Sequence, residues 1–93
     1  MKLCIDYDGT YTEDPEFWDR VIELAKQRGH GVVCATMRYR RTEGAPVLKA
    51  LDGKVDEVFF TDRAAKQPAL NARGVFPDVW IDDSPHWLLN DAA

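Results

Sequence analysis

Lys2-Leu3-Cys4-Ile5-Asp6-Tyr7-Asp8-Gly9-Thr10 is the stretch that decides the fold of this 93-residue chain. Its apolar centre, Leu3-Cys4-Ile5, suits a central parallel strand covered on both faces. The strand, expected over Lys2–Tyr7, exits into two carboxylates one residue apart, then a glycine and a hydroxyl. An ordinary turn needs one Asp or Asn and a Gly. A second acid aimed along the same side as the first is left over, and it marks Asp6 and Asp8 as candidate chemistry.

Working outward, the same arrangement recurs. Asp14-Pro15 reads as helix N-cap and first helical residue. Phe17, Val21, Leu24 and Ala25 follow at helical spacing, and Gly29 stops a helix placed at 15–28. Gly31–Thr36 is a second apolar strand. A weaker helix follows, with Thr42 as a candidate cap, Val47, Leu48 and Leu51 as its apolar face, and Gly53 as its stop; Gly44 and Pro46 weaken its first turn. Val55–Thr61 holds a third strand centred on Val58, Phe59 and Phe60. Pro68 opens a short helix over 68–73. Val79-Trp80-Ile81 is a fourth strand, and it exits into Asp82-Asp83. Ser84-Pro85 reads as another cap and helix start, with a terminal helical turn over Pro85–Asn90.

Strands that alternate with helices give a parallel sheet with right-handed crossovers. The expectation is an α/β, three-layer, Rossmann-like domain covering residues 1–93, with a mainly parallel sheet of about four strands in the order 4-1-2-3. Ninety-three residues allow one domain. A chain of this size buries roughly 60–65% of its unfolded surface, so the core is minimal. A hydrophobic fraction of 45% beside a charged fraction of 30% excludes a disordered chain. No apolar run approaches the roughly 18 residues of a membrane-spanning helix, and the acidic start is unlike a signal peptide. A cytoplasmic protein without a membrane partner is expected. A net charge of −4 argues against a broad nucleic-acid surface. Arg38, Arg40 and Arg41 nevertheless cluster after the second strand, either as a solvated basic loop or as a patch for a phosphorylated substrate. Cys4 and Cys34 lie in strands and are too few for a disulfide framework or a zinc site; both are expected as buried thiols.

The polar candidates converge on one edge. Asp6, Asp8, Thr36, Asp82 and Asp83 all stand at carboxyl ends of strands, where open α/β sheets bind ligands. Carboxylates so gathered stay ionised only with positive charge among them. An all-oxygen donor set that must also admit a phosphate suits Mg²⁺. Lys66 supplies a fixed cation. Thr36 offers a hydroxyl, and the main-chain N–H groups after it, at Met37 and Arg38, offer a small anion nest. Arg63 stands near enough to compete with Lys66. His86 reads as a surface histidine of a first helical turn. Trp18, Trp80 and Trp87 read as core or partner surface rather than as a base-stacking platform.

In order, these residues resemble the four motifs of the haloacid dehalogenase (HAD) superfamily. Asp6-Tyr7-Asp8-Gly9-Thr10 is similar to its D-x-D-G-T motif, Thr36 to the second, Lys66 to the third and Asp82-Asp83 to the acidic fourth, over residues 3–86. The resemblance implies a Mg²⁺-dependent phosphomonoester hydrolase. Asp6 would be its nucleophile, forming an aspartyl-phosphate, and Asp8 its acid/base. Thr36, Met37, Arg38 and Lys66 would bind the substrate phosphate. Asp6, Asp8 through its carbonyl, and Asp83 in preference to Asp82 would hold the metal, with Asp82 facing Lys66. No cap domain fits between the motifs. An open site of this kind implies a large phosphorylated substrate, with a nucleotide or a polynucleotide end ahead of a phosphoprotein. The strand-four edge would suit a homodimer. The rivals are a catalytically idle phosphate-binding module and a receiver-like signalling domain, in which Asp62 would have to accept the phosphoryl group.

Overall fold

The computed structural model describes all 93 residues, Met1–Ala93. Four strands, β1 (Lys2–Asp6), β2 (Gly31–Thr36), β3 (Glu57–Phe60) and β4 (Val79–Ile81), form one sheet. Every pairing is parallel, and the strands lie in the order β3-β2-β1-β4. Counted from the opposite edge this row is 4-1-2-3, so β1 and β2 are interior while β3 and β4 are edges. Between them run α1 (Pro15–Gln27), α2 (Arg40–Glu43), α3 (Ala45–Leu51) and α4 (Lys66–Ala72), with short 3-10 turns at Tyr11–Glu13 and Pro85–Leu88. No helix is long and apolar enough to cross a membrane.

Strand alternation splits the core in two. Ile5, Val32, Cys34 and Phe60 pack with Ile22 and Ala25 of α1 and with Val47 and Leu51 of α3. Cys4, Val33, Ala35 and Phe59 pack on the other face with Leu70 of α4. Helices therefore cover both faces, which explains why β1 and β2 are nearly all apolar. Cys4 and Cys34 are buried and free, and they point to opposite faces. Burial pushes the Cys4 thiol up to about 12.

Several boundaries move for local reasons. The Asp14 side chain caps α1, accepting from Phe17 N–H at 3.2 Å. The buried stripe of α1 is Ile22 and Ala25 with Trp18 against them, whereas Phe17 and Leu24 are exposed. The single helix expected around Thr42–Gly53 is two segments meeting at Gly44, and Thr42 lies inside α2 rather than capping it. A Cβ on Gly44 would stand 2.5 Å from the Arg40 carbonyl oxygen and 3.1 Å from the Phe60 ring, so the chain passes there only without a side chain. α4 begins at Lys66, two residues before Pro68, which sits in the first turn where no N–H is needed. Ser84 makes no side-chain cap, and the expected terminal helical turn is the shorter 3-10 segment.

Candidate functional site

In a parallel sheet all carboxyl ends share one edge. The chain runs β1 to β2 to β3 in one direction, then returns to set β4 on the other side of β1. The crevice where strand order reverses lies between β1 and β4, the usual place for a ligand. Asp6 ends β1, and Asp82 and Asp83 follow β4. A cavity of about 480 Å³ opens there, lined by Asp6, Asp8, Thr36, Met37, Arg38 and Lys66 together with Arg63, Asp82, Asp83, Ser84, Trp87 and Ala92. Every site residue expected from the sequence is in that lining.

The centre is a buried ion triplet. Lys66 Nζ donates to Asp6 Oδ1 and to Asp82 Oδ2, both at 2.7 Å. Lys66 is placed for this as the first residue of α4. Burial works against its charge, but the two carboxylates outweigh it and raise its pKa. Asp82 is held further by the Ser84 N–H, which donates to its Oδ1 at 2.9 Å. Burial lifts Asp6 to about 7 despite Lys66, with Asp83 and Asp82 adding to the rise.

Thr10 ties the first strand exit to the fourth. Its Oγ1 lies 3.2 Å from Asp6 Oδ2 and 3.1 Å from Asp83 Oδ1, and it accepts the Asp83 N–H at 3.1 Å. One hydroxyl proton serves two carboxylates, so positive charge is still wanted between them. Gly9 makes this approach possible. Its φ is +82°, and a Cβ there would meet the Asp83 carboxylate at 2.4 Å. Asp6, Asp82 and Asp83 each offer a carboxylate oxygen, all within 4.8 Å of one another, a donor set able to hold a cation. Its all-oxygen chemistry fits a hard divalent ion.

Asp8 is engaged differently. Arg38 grips it with both arms of its guanidinium, Nε to Oδ2 and Nη2 to Oδ1, each at 2.8 Å. Arg38 Nη1 donates to the Glu43 carbonyl at 3.0 Å, and its guanidinium carbon lies 5.2 Å from the Tyr7 ring centroid. The Arg38 pairing holds the Asp8 carboxyl below its ordinary value. Thr36 Oγ1 accepts the Arg38 N–H at 3.2 Å. Arg40 and Arg41 do not join the cavity lining; Arg40 lies over the Phe60 ring and Arg41 is exposed, so the basic patch contributes Arg38 alone.

Arg63 and Trp87 also line the cavity, and neither stands out in the sequence as a site residue. Trp80 packs against the α4-side core and Trp18 against the α1 side, but Trp87 stays exposed. Asp62 is exposed, lies outside the lining and accepts the Arg40 N–H, which leaves it badly placed for a receiver's phosphoacceptor. No family model, no curated protein and no solved structure matches the chain.

Proposed function

We propose that this site hydrolyses phosphomonoesters with Mg²⁺, in the manner of the HAD phosphatases whose motifs the sequence resembles. The observation that carries the reading is Asp6 itself: buried at the central strand's carboxyl end, bonded by Lys66, and one cavity wall away from Thr36, Asp8 and a second acidic exit.

An Asp6 carboxylate oxygen attacks phosphorus, and the bond from phosphorus to the ester oxygen breaks. The departing oxygen takes a proton from Asp8. Asp8 then removes a proton from water, whose oxygen attacks phosphorus and releases Asp6 as a carboxylate with inorganic phosphate. Lys66, the Thr36 hydroxyl and the Met37 N–H suit the equatorial phosphoryl oxygens, whereas the Arg38 N–H is already donated to Thr36 Oγ1, so Arg38 would act through its guanidinium. Asp6, Asp83 and the Asp8 carbonyl would hold Mg²⁺, since Asp82 is already taken by Lys66 and Ser84. The metal supplies charge neutralisation for the phosphoryl oxygens and for the crowded carboxylates.

The Arg38 pairing keeps Asp8 ionised, whereas the first step needs its proton. A substrate phosphate competes for the Arg38 fork, and its binding frees Asp8 to become the acid. The same pair favours the second reading, an idle phosphate-binding module, if Arg38 does not let go. The test is hydrolysis of p-nitrophenyl phosphate with Mg²⁺, with EDTA, and with Asp6→Asn. Turnover that needs both Mg²⁺ and Asp6 is the expected result. Beryllofluoride binding without turnover supports the idle module. Wild-type rates in Asp6→Asn eliminate Asp6 as nucleophile.

A further inference from the structure

The cavity is far larger than one phosphoryl group requires, and within the range of pockets that enclose a whole small molecule. Among the lining residues that have no part in the hydrolysis scheme, Arg63 and Trp87 carry side chains able to bind a ligand. Arg63 stands on a turn where two successive non-glycine residues take left-handed backbone, Asp62 at φ 52° and Arg63 at φ 71°. Left-handed backbone is unfavourable for any residue with a Cβ, and strain of this kind persists only where surrounding bonds impose it. Here they do. The Arg63 N–H donates to the Met37 carbonyl at 2.9 Å, and its own carbonyl accepts the Ala92 N–H at 2.7 Å. The turn sets the Arg63 guanidinium at the cavity wall.

The two arginines of the wall are held unequally. Arg38 is committed through three contacts of 2.8–3.0 Å. The hydrogen bonds of the Arg63 guanidinium are all long, 3.3 Å to the Met37 carbonyl and 3.3 and 3.4 Å to the Glu43 carboxylate, and its guanidinium carbon lies 5.0 Å from the Tyr39 ring centroid, a stacking contact that leaves the N–H edge free to turn. A planar fork so loosely held can turn to a phosphate without giving up a strong bond. Trp87 adds an aromatic face. It lines the same cavity, remains 36% exposed, and is buttressed edge-on by His86 at 4.8 Å between ring centroids.

We propose that Arg63 and Trp87 form a second subsite, which binds the part of the substrate beyond the phosphate being cleaved. Arg63 takes a second phosphate and Trp87 stacks on a nucleobase. The ligand class is a nucleotide bearing two phosphates, either free or as the phosphorylated end of a polynucleotide. Stacking on an aromatic face and an arginine contact to phosphate are the elements by which proteins hold single-stranded nucleic acid. The assignment rests on the phosphatase reading only for where the first phosphate sits.

Calorimetric titration of the full chain carrying Asp6→Asn, with Mg²⁺ present, separates the two. The ligands are inorganic phosphate, phenyl phosphate, thymidine 3′,5′-bisphosphate and a short 3′-phosphorylated oligonucleotide. The bisphosphate is expected to bind at least ~10-fold tighter than phenyl phosphate, as for an added charge-assisted contact with stacking. Arg63→Gln should remove most of that margin, Arg63→Lys should restore part of it, and Trp87→Leu should remove part. A margin confined to the free bisphosphate, or to the oligonucleotide, selects the source of the ligand. Equal binding of the bisphosphate and phenyl phosphate, or equal weakening of both by the substitutions, overturns the subsite while leaving the phosphatase reading intact. Failure of every phosphate to bind overturns both. A bisphosphate margin beside a wild-type protein without turnover keeps the subsite and removes the hydrolase.

Discussion

Two lysines of this molecule hold aspartates at salt-bridge distance, and the contrast between them separates a site from a brace. Lys66 contacts Asp6 and Asp82 at 2.7 Å, with side chains 4–8% exposed. Lys54 contacts Asp19 Oδ2 and the Tyr11 hydroxyl at 3.0 Å, and Tyr11 donates to Asp19 Oδ1 at 2.6 Å. Lys54 and Asp19 are 39% and 36% exposed. The composition is nearly the same and the distances differ by a few tenths of an ångström. Burial makes the difference. Water screens the outer pair, so it contributes little. The inner triplet is desolvated, so each member depends on the others and Asp6 is driven to about 7. The buried network costs desolvation to maintain and sits at the reversal point of a parallel sheet, where α/β sheets bind ligands; the exposed one ties a loop to a helix.

The contrast breaks most visibly at Lys66. Lys66→Met leaves Asp6 and Asp82 buried beside Asp83 without their cation. Removing one partner of a buried pair typically costs about 3–5 kcal/mol. Urea unfolding should show a loss of that order, and phosphatase turnover should disappear. A loss under about 1 kcal/mol, the surface-pair value, would place Lys66 with Lys54.

pH offers the next handle. Asp6 is raised above its ordinary 3.8 to about 7, so between those values the folded state binds a proton the unfolded chain does not. This contribution to stability is full below about pH 4 and is lost as pH rises through about 7. Asp8 and Asp83 are lowered, so their contributions change below 3.8, outside this window. In EDTA the urea midpoint should fall from pH 5 to pH 8, and Asp6→Asn should flatten that slope. Mg²⁺, by stabilising the ionised carboxylates, should flatten it too.

Gly9→Ala is a smaller perturbation with a sharper readout. The left-handed backbone alone costs about 1–2 kcal/mol. The new methyl also meets the Asp83 carboxylate, a side-chain end that can yield. The fold is expected to survive with a thermal midpoint lowered by several degrees. On the proposed metal site, in which Asp83 would be a ligand, the Mg²⁺ requirement for turnover should rise, because the methyl displaces that carboxylate. An unchanged Mg²⁺ dependence would remove Asp83 from the metal set.

Much of this was legible because strand ends announce themselves. Asp6, Thr36 and Asp82 each close an apolar run, so topology alone brings them to one edge. Gly31–Thr36 and Val79–Ile81 form strands over those same residues. What stayed hidden depends on contacts between distant residues or on backbone without a sequence marker. The Arg38–Asp8 fork joins residues 30 apart. The left-handed turn at Asp62-Arg63 carries no Gly or Asn to signal it, so Arg63 reads only as a competitor of Lys66. On α1, the spacing of Phe17, Val21 and Leu24 is helical, but so is that of Trp18, Ile22 and Ala25, and only the sheet decides which stripe it covers. Trp87 reads as core or partner surface, and its place in the cavity wall follows from the short 3-10 turn, which the sequence does not mark.

Lys54→Met sharpens the comparison from its weak end. The substitution keeps most of the aliphatic stem and removes the charge that Tyr11 and Asp19 share. Tyr11 is buried, but its hydroxyl still donates to Asp19, so no buried polar group is orphaned. The lost pair is more than a third exposed, which limits its worth to about 0.2–1 kcal/mol. Lys54 also lies outside the cavity lining, so turnover on an aryl phosphate should stay within twofold of wild type. Unfolding in low and high salt provides the check. The wild type should lose its small advantage over Lys54→Met as salt screens the exposed pair, while its advantage over Lys66→Met should persist, because the buried triplet is beyond the reach of screening ions. If both advantages vanish together, the two networks are alike in kind, and burial is not what distinguishes them.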